Sequence, residues 1–284
     1  MITLRAGSWM ATVSPELGGA ILSLDNAGVA VFRPTPDGTG EVLQTACFPL
    51  VPYVNRIADA RFSHGGCDVT LPTLAQFAPH ALHGDGWLRA WSVDTVEAAR
   101  VVLTLEGGED HWPWAWTAVQ TIELTGDGLR IDLSMTNRAQ TDAPAGLGLH
   151  PYFVRGRDTR LSFRADAVWL ADAREIPERL APADAVMDWS GGPKVSDAPF
   201  VDHAYAGWDG QAVVGDGDRR IVMIASDNCR WAQVYAPTGE DFVCVEPMSH
   251  RPDAVHAPAG EDPGLAVLKP GETLSIWMTV GIEG

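Results

Sequence analysis

The feature that most constrains this chain is punctuation. Nowhere does a helical apolar periodicity persist beyond about two turns. Short alternating segments recur instead, broken by Gly, Pro, Asp and Asn; ARVVLTLEG, RIVMIASD and ETLSIWMTVGIE are examples. The stretch TIELTGDGLRIDLSM sets two alternating runs on either side of a turn built on Gly126, Asp127 and Gly128, which predicts a hairpin. Many strands at this spacing predict an all-β protein, a sandwich or a barrel. The chain has 284 residues, and large β-architectures reach that size as one unit. No linker, repeat or low-complexity stretch divides it, so residues 1–284 are read as a single domain. The least strand-like part runs from about 171 to 200. It is long, polar and rich in Pro and Gly, and reads as an extended surface excursion of the kind that is often functional.

Charge and cysteine usage narrow the partners. Thirty-seven acidic residues against twenty basic ones leave a formal net charge of −17. Nucleic acids and anionic membranes need basic patches, so neither is an expected partner. Phosphorylated ligands are disfavoured unless a local arginine pocket overrules the global field. No apolar run of about eighteen residues could span a bilayer, and the N-terminus does not read as a signal peptide. Cys47, Cys67, Cys229 and Cys244 form no CxxC pair. Reduced thiols and a cytoplasmic location are therefore expected. Most of the eleven tryptophans are read as core.

Five segments could carry chemistry. In LGLHPYF an extended backbone puts His150 on one face with Gly146, Gly148 and Tyr152, and the glycines should leave space beside the imidazole. In FVCVEPM, Glu246 shares a face with Phe242 and Cys244. A carboxylate there costs free energy unless it is paired or reaches water. Each of the two precedes a proline, which biases its backbone toward the extended region and presents the side chain from a stiff segment. Read alone, His150 also fits an ordinary hydrogen-bonded histidine, and Glu246 a solvated strand end. Asn55-Arg56 lies between two apolar pieces, where Arg56 could equally pair with an acidic neighbour. His80 and His83 stand three apart in PHALHGDGW, a weak metal signal with His150 and Glu246 as further ligands. Asp202, before His203, reads alone as a turn or capping residue.

Taken in order, NRI at 55–57, LHG at 82–84 with Trp87, HPYF at 150–153, DH at 202–203 and VEP at 245–247 resemble the aldose 1-epimerase (galactose mutarotase-like) family. The resemblance covers the chain from about residue 10 to its end. It implies a large twisted antiparallel β-sandwich, the galactose mutarotase-like supersandwich, with the site in a cleft on one sheet. It implies a mutarotase that interconverts the α and β anomers of a free monosaccharide. Glu246 would be the general base on the anomeric hydroxyl and His150 the general acid on the ring oxygen, on opposite sides of the anomeric centre. Arg56, His83, Asp202 and Asn55 would bind substrate. Such acid–base ring opening needs no metal and no organic cofactor. Monomer and homodimer are both left open. Departures from better-known relatives, PHALHG around His83 and FPLVPYV before the NRI motif, leave the identity of the sugar open. Three rivals remain: a hexose-6-phosphate 1-epimerase, with Arg89 a candidate phosphate ligand; a non-catalytic sugar-binding protein; and a metal-dependent sugar isomerase.

Overall fold

A computed structural model describes residues 1–108, 111–217 and 219–283. Among them there is no α-helix, only strands and five short 3₁₀ turns. The predicted hairpin is present: Trp116–Leu124 and Gly128–Asn137 pair antiparallel, with Leu124 opposite Leu129. Its turn needs glycine at 128, where φ is +150° and a Cβ would meet the Val280 carbonyl oxygen at 2.1 Å.

Two large sheets form the body. The smaller has eight strands. Its central strands alternate buried and half-exposed residues, because one face packs inward and the other meets solvent. The larger has eleven strands, and from its third strand to one edge it runs in the order Ala20–Asn26, Cys47–Leu50, Gly148–Val154, Phe242–Met248, Trp231–Ala236, Val201–Ala206, Ala167–Ala171, Pro177–Pro182. Its central strands are buried almost throughout. Alternation explains how. Val243 and Val245 join the main core with Leu149 and Phe153, while Phe242, Cys244 and Met248 join a second cluster with Phe48, Tyr152 and Trp87. The second cluster lies on the other face of the large sheet, and it surrounds the site.

Two expectations need correction. The stretch from about 171 to 200 is not an excursion throughout: residues 183–200 hold no strand, but the part before them does. Pro177–Pro182 is a strand paired with Ala167–Ala171, so residues 172–176 form the tip of a hairpin. Nor do Gly146 and Gly148 leave open space. A Cβ on Gly146 would strike the His250 ring at 2.0 Å, and one on Gly148 would meet Val54 Cγ1 at 2.8 Å. The missing side chains let other groups approach the backbone rather than opening a hollow.

Candidate active site

His150 and Glu246 sit on adjacent strands of the large sheet. Their side chains share one face because each lies an even number of residues from a member of the second cluster, Tyr152 and Cys244 respectively. His150 Nε2 lies 3.3 Å from Glu246 Oε1. Aromatic packing fixes the imidazole: Phe48, its cross-strand partner, and Tyr152 both stack against it, each with ring centroids 4.6 Å away. Beyond Tyr152 the Arg33 guanidinium stacks 3.9 Å from the ring centroid, while its Nη2 donates to the Leu43 and Thr45 carbonyls. Glu246 is buried within its strand, not at a solvated end.

Burial acts oppositely on the two partners. It drives the His150 pKa down to about 3, with the nearby Arg33 charge adding to the effect. It raises Glu246 well above the usual carboxylate range, reinforced by the Asp202 charge. Both shifts favour the neutral forms, so across a wide pH range the pair as a whole keeps one titratable proton.

His83 forms the third part of the floor. The Asn55 backbone N–H donates to its Nδ1 at 3.0 Å. The neutral ring therefore carries its proton on Nε2, which is available as a donor. Burial, followed by the charges of His150 and Arg56, lowers its pKa well below that of a free imidazole. The His83 N–H also donates to the Asn55 carbonyl, and both residues have φ near +60°. Gly84 completes the close approach, since a Cβ there would meet the Val51 carbonyl oxygen at 2.3 Å. The Asn-Arg and Leu-His-Gly motifs are thus two halves of one structure: Arg56–Ile57 pairs with Ala81–Leu82.

Charged groups stand at the rim. Arg56 Nη2 donates to Glu175 Oε2, and its Nη1 lies 3.9 Å from Asp202 Oδ2. Asp202 is not a turn residue; it lies in the strand Val201–Ala206 and accepts from Gln233 Nε2 at 2.5 Å. Burial raises the Asp202 pKa against the opposing pull of Arg56 and Gln233. All six sequence-selected residues, Asn55, Arg56, His83, His150, Asp202 and Glu246, line one cleft of about 400 Å³.

Other selected residues lie elsewhere. His80 is buried, and its Nδ1 accepts the Asp59 N–H at 2.9 Å, so the His80–His83 spacing serves two backbone contacts rather than a shared ligand site. Arg89 pairs with Asp85 at 3.3 Å and does not line the cleft. Trp87 is core, donating to the Gly84 carbonyl and stacking on Phe48. Sequence reasoning missed Arg33, Gln233 and Glu175, which also line the cleft. Only Gln233 carries a recognisable signal, its place opposite Glu246 in the neighbouring strand, and that register is invisible before pairing is known.

The arrangement has unmet hydrogen-bonding capacity. Glu246 Oε2 and Gln233 Oε1 are buried with no protein partner. Buried polar atoms are normally satisfied, and a polyhydroxylated ligand supplies what these two need. His83, His150 and Glu246 also bring one ligand atom each within 4.8 Å of one another, a spacing that could hold a divalent ion after modest contraction.

Known proteins place this site in context. The chain is 31% identical over 303 residues to the uncharacterized protein YphB of Escherichia coli K12, covering 99% of this chain and 98% of that protein. A crystal structure of a candidate aldose 1-epimerase from E. coli K12 superposes with a TM-score of 0.91 at 30% identity, covering 99% and 98% of the two chains. A galactose mutarotase-like protein from Clostridium acetobutylicum shares the fold, with a TM-score of 0.87 at 19% identity over 99% and 94%. The profile of the aldose 1-epimerase family matches residues 1–281, and the chain belongs to that family.

Proposed function

We propose that the protein is an aldose 1-epimerase that opens and recloses the ring of a free monosaccharide by proton transfer. The observation that carries this reading is the His150–Glu246 pair, 3.3 Å apart on the floor of a cleft lined with hydroxyl-binding groups. The two groups stand side by side rather than on opposite sides of a carbon. That suits the reaction, because the hydroxyl oxygen and the ring oxygen of a cyclic aldose are bonded to the same atom. With the shared proton on His150, the Glu246 carboxylate takes the proton from the anomeric hydroxyl while the imidazolium gives its own to the ring oxygen. The bond between C1 and the ring oxygen breaks and the aldehyde forms. Rotation about C1–C2 exposes the other face, and closure returns both protons. The enzyme ends as it began, so no other reactant is consumed.

Arg56, and His83 through Nε2–H, donate to sugar oxygens. Asp202, oriented by Gln233, accepts from hydroxyls. The reading takes residues 1–284 as one domain in the cytoplasm. It is supported by the core shared between the two sheets and by four unpaired cysteines. Among the described residues no helix is long and apolar enough to cross a membrane.

The test is proton NMR of freshly dissolved α-anomers over a panel of hexoses and pentoses. Exchange faster than in buffer for at least one sugar is expected; buffer rates throughout would reject the enzyme reading. A metal-dependent isomerase is the second reading, favoured by the clustered ligand atoms of His83, His150 and Glu246. The acid–base mechanism uses no Lewis acid, so activity should survive EDTA. Loss in EDTA, reversed by one specific divalent ion, would favour the metal.

A further inference from the structure

Glu175 stands where no motif places a functional residue. It lies at the tip of the hairpin joining Ala167–Ala171 to Pro177–Pro182, an edge of the large sheet well removed in sequence from Arg56. The tip is a built turn. The Asp172 carboxylate accepts the backbone N–H groups of Arg174 and Ile176 at 2.8 and 3.0 Å. The backbone N–H of Glu175 donates to the Asp172 carbonyl, and Glu175 itself has φ +64°. Two contacts then tie the tip to the segment that carries Arg56. Arg174 Nη2 donates to Asp59 Oδ1 at 2.5 Å, and Arg56 Nη2 donates to Glu175 Oε2.

Stability does not account for this strap. The Glu175 side chain is 60% exposed, and exposed ion pairs contribute little. Its place in the cleft is more telling. The lining holds two guanidinium groups, Arg33 and Arg56. Arg33 is spent on the Leu43 and Thr45 carbonyls and on the rings of Tyr152 and Phe242. Among the described residues, Arg56 is therefore the one cationic fork lining the cleft that could receive a phosphate or carboxylate on a ligand, the geometry at which arginine excels. Glu175 holds one arm of that fork, and Asp202 faces the other.

We propose that Glu175 is a specificity-determining residue, a tethered carboxylate that occupies Arg56 and reserves the cleft for uncharged sugars over phosphorylated or acidic ones. The proposal rests on the epimerase reading and names its substrate class. An incoming anion must displace Glu175 from Arg56 and then sit beside two carboxylates, those of Glu175 and Asp202. A neutral sugar meets no such penalty, because the guanidinium has five N–H groups and can donate those that Glu175 and Asp202 leave.

The experiment compares glucose, glucose 6-phosphate and glucuronate in the wild type, Glu175→Gln and Glu175→Asp, using NMR anomer exchange for kcat/KM and calorimetry for affinity. The readout is the neutral-to-anion ratio, in which any general loss of activity cancels. The wild type should favour glucose over both anions. Glu175→Gln should lower the ratio by at least about tenfold, the scale expected when like-charge repulsion is removed. Glu175→Asp should keep most of it. The wild-type ratio should also fall as salt rises, because Glu175 is exposed to screening ions. A wild type that treats glucose and its 6-phosphate alike overturns the proposal, as does a ratio unchanged in Glu175→Gln. If the wild type turns over none of the three, the ratio of affinities decides the filter on its own, and the epimerase reading is decided separately by the wider panel of neutral sugars.

Discussion

The cleft has a floor and a rim, and they solve different physical problems. His83, His150 and Glu246 on the floor are each no more than 6% exposed, and burial pushes all three toward their neutral forms. Arg56, Asp202, Glu175, Arg174 and Asp59 at the rim are more exposed and paired in charged contacts. A low-dielectric floor makes an isolated charge expensive, so a proton passed within the pair moves with little solvent to reorganise. A wet rim tolerates charge and can use it to attract, orient and reject. Chemistry therefore belongs to the floor, and selection to the rim.

The sharpest way to break this division is to remove a proton acceptor from the floor. Glu246→Gln keeps the shape and a hydrogen-bonding amide but cannot take the proton. Turnover should fall by about 10²–10⁴, the usual worth of a positioned acid or base, while sugar affinity changes little. His150→Asn should fall by a similar factor, and the double variant by much less than the product, because the two groups act in one step. NMR exchange rates with calorimetric affinities measure both. The pH profile of the wild type sharpens the same point. Ordinary glutamate and histidine values would place the limbs of a bell near 4.3 and 6.5. Here burial moves the acid limb toward the His150 value of about 3 and the alkaline limb, set by Glu246, upward. The plateau should be broad, and its limbs belong to the coupled pair. Near wild-type turnover in Glu246→Gln would remove the base and the mechanism with it.

Rim variants should act on binding instead. Arg56→Ala and His83→Ala each remove a donor to a sugar oxygen, although His83 reaches the ligand from the floor. The loss of a hydrogen bond involving a charged group is worth about 1.5–3 kcal/mol, so KM should rise roughly 10–100-fold for Arg56→Ala, and by less for the neutral His83. Melting curves should show both variants folded. If Arg56→Ala lowered kcat at saturating sugar as much as Glu246→Gln does, the floor and the rim would be one catalytic unit.

How much of this was legible in the sequence differs between the two regions in a physical way. Alternation placed Glu246 with Cys244 and His150 with Tyr152, because a period of two is local and pairing cannot change it. The all-β class followed from the same pattern. What alternation could not provide was register. Gln233 opposite Glu246, Phe48 opposite His150 and Glu175 against Arg56 all come from strands or tips distant in sequence. The glycines misled for a related reason. Gly146 and Gly148 look like open space until the His250 ring and Val54 are seen to fill it. The hairpin after Ala171 was hidden because proline and charge suit an edge strand, where ladder donors face solvent and weak strand propensity is tolerated.

His250 joins the floor to the rim and carries the smallest of the expected effects. Its ring packs against Gly146, just before the strand that bears His150, and its Nε2 accepts the Val54 N–H at 3.2 Å, one residue before Asn55. The other ring nitrogen lies 2.7 Å from the Arg251 carbonyl. That contact requires a proton on Nδ1, so the neutral ring satisfies both neighbours. Burial lowers the His250 pKa to about 4, with the Arg251 charge contributing. The sign follows from proton counting. Between about 4 and the ordinary value of 6.5 the unfolded chain binds a proton that the folded chain refuses, so stability falls as pH falls through this window and is fully present above it. Protonation would also set an N–H of the ring against the Val54 N–H, leaving that donor without an acceptor. His250→Gln can reproduce both contacts and does not titrate. At pH 7.5 it should cost about 1 kcal/mol, the scale of a perturbed hydrogen bond. Between pH 6 and 4.5 its stability should decline less steeply than the wild type's, by up to about 1.4 kcal/mol per pH unit, which is one proton. Urea titrations across that range measure the slope. Part of the wild-type slope should persist, because His83 and His150 are buried in the same sense. An unchanged slope in His250→Gln would mean that acid loosens the cleft from its floor rather than from the joint behind it.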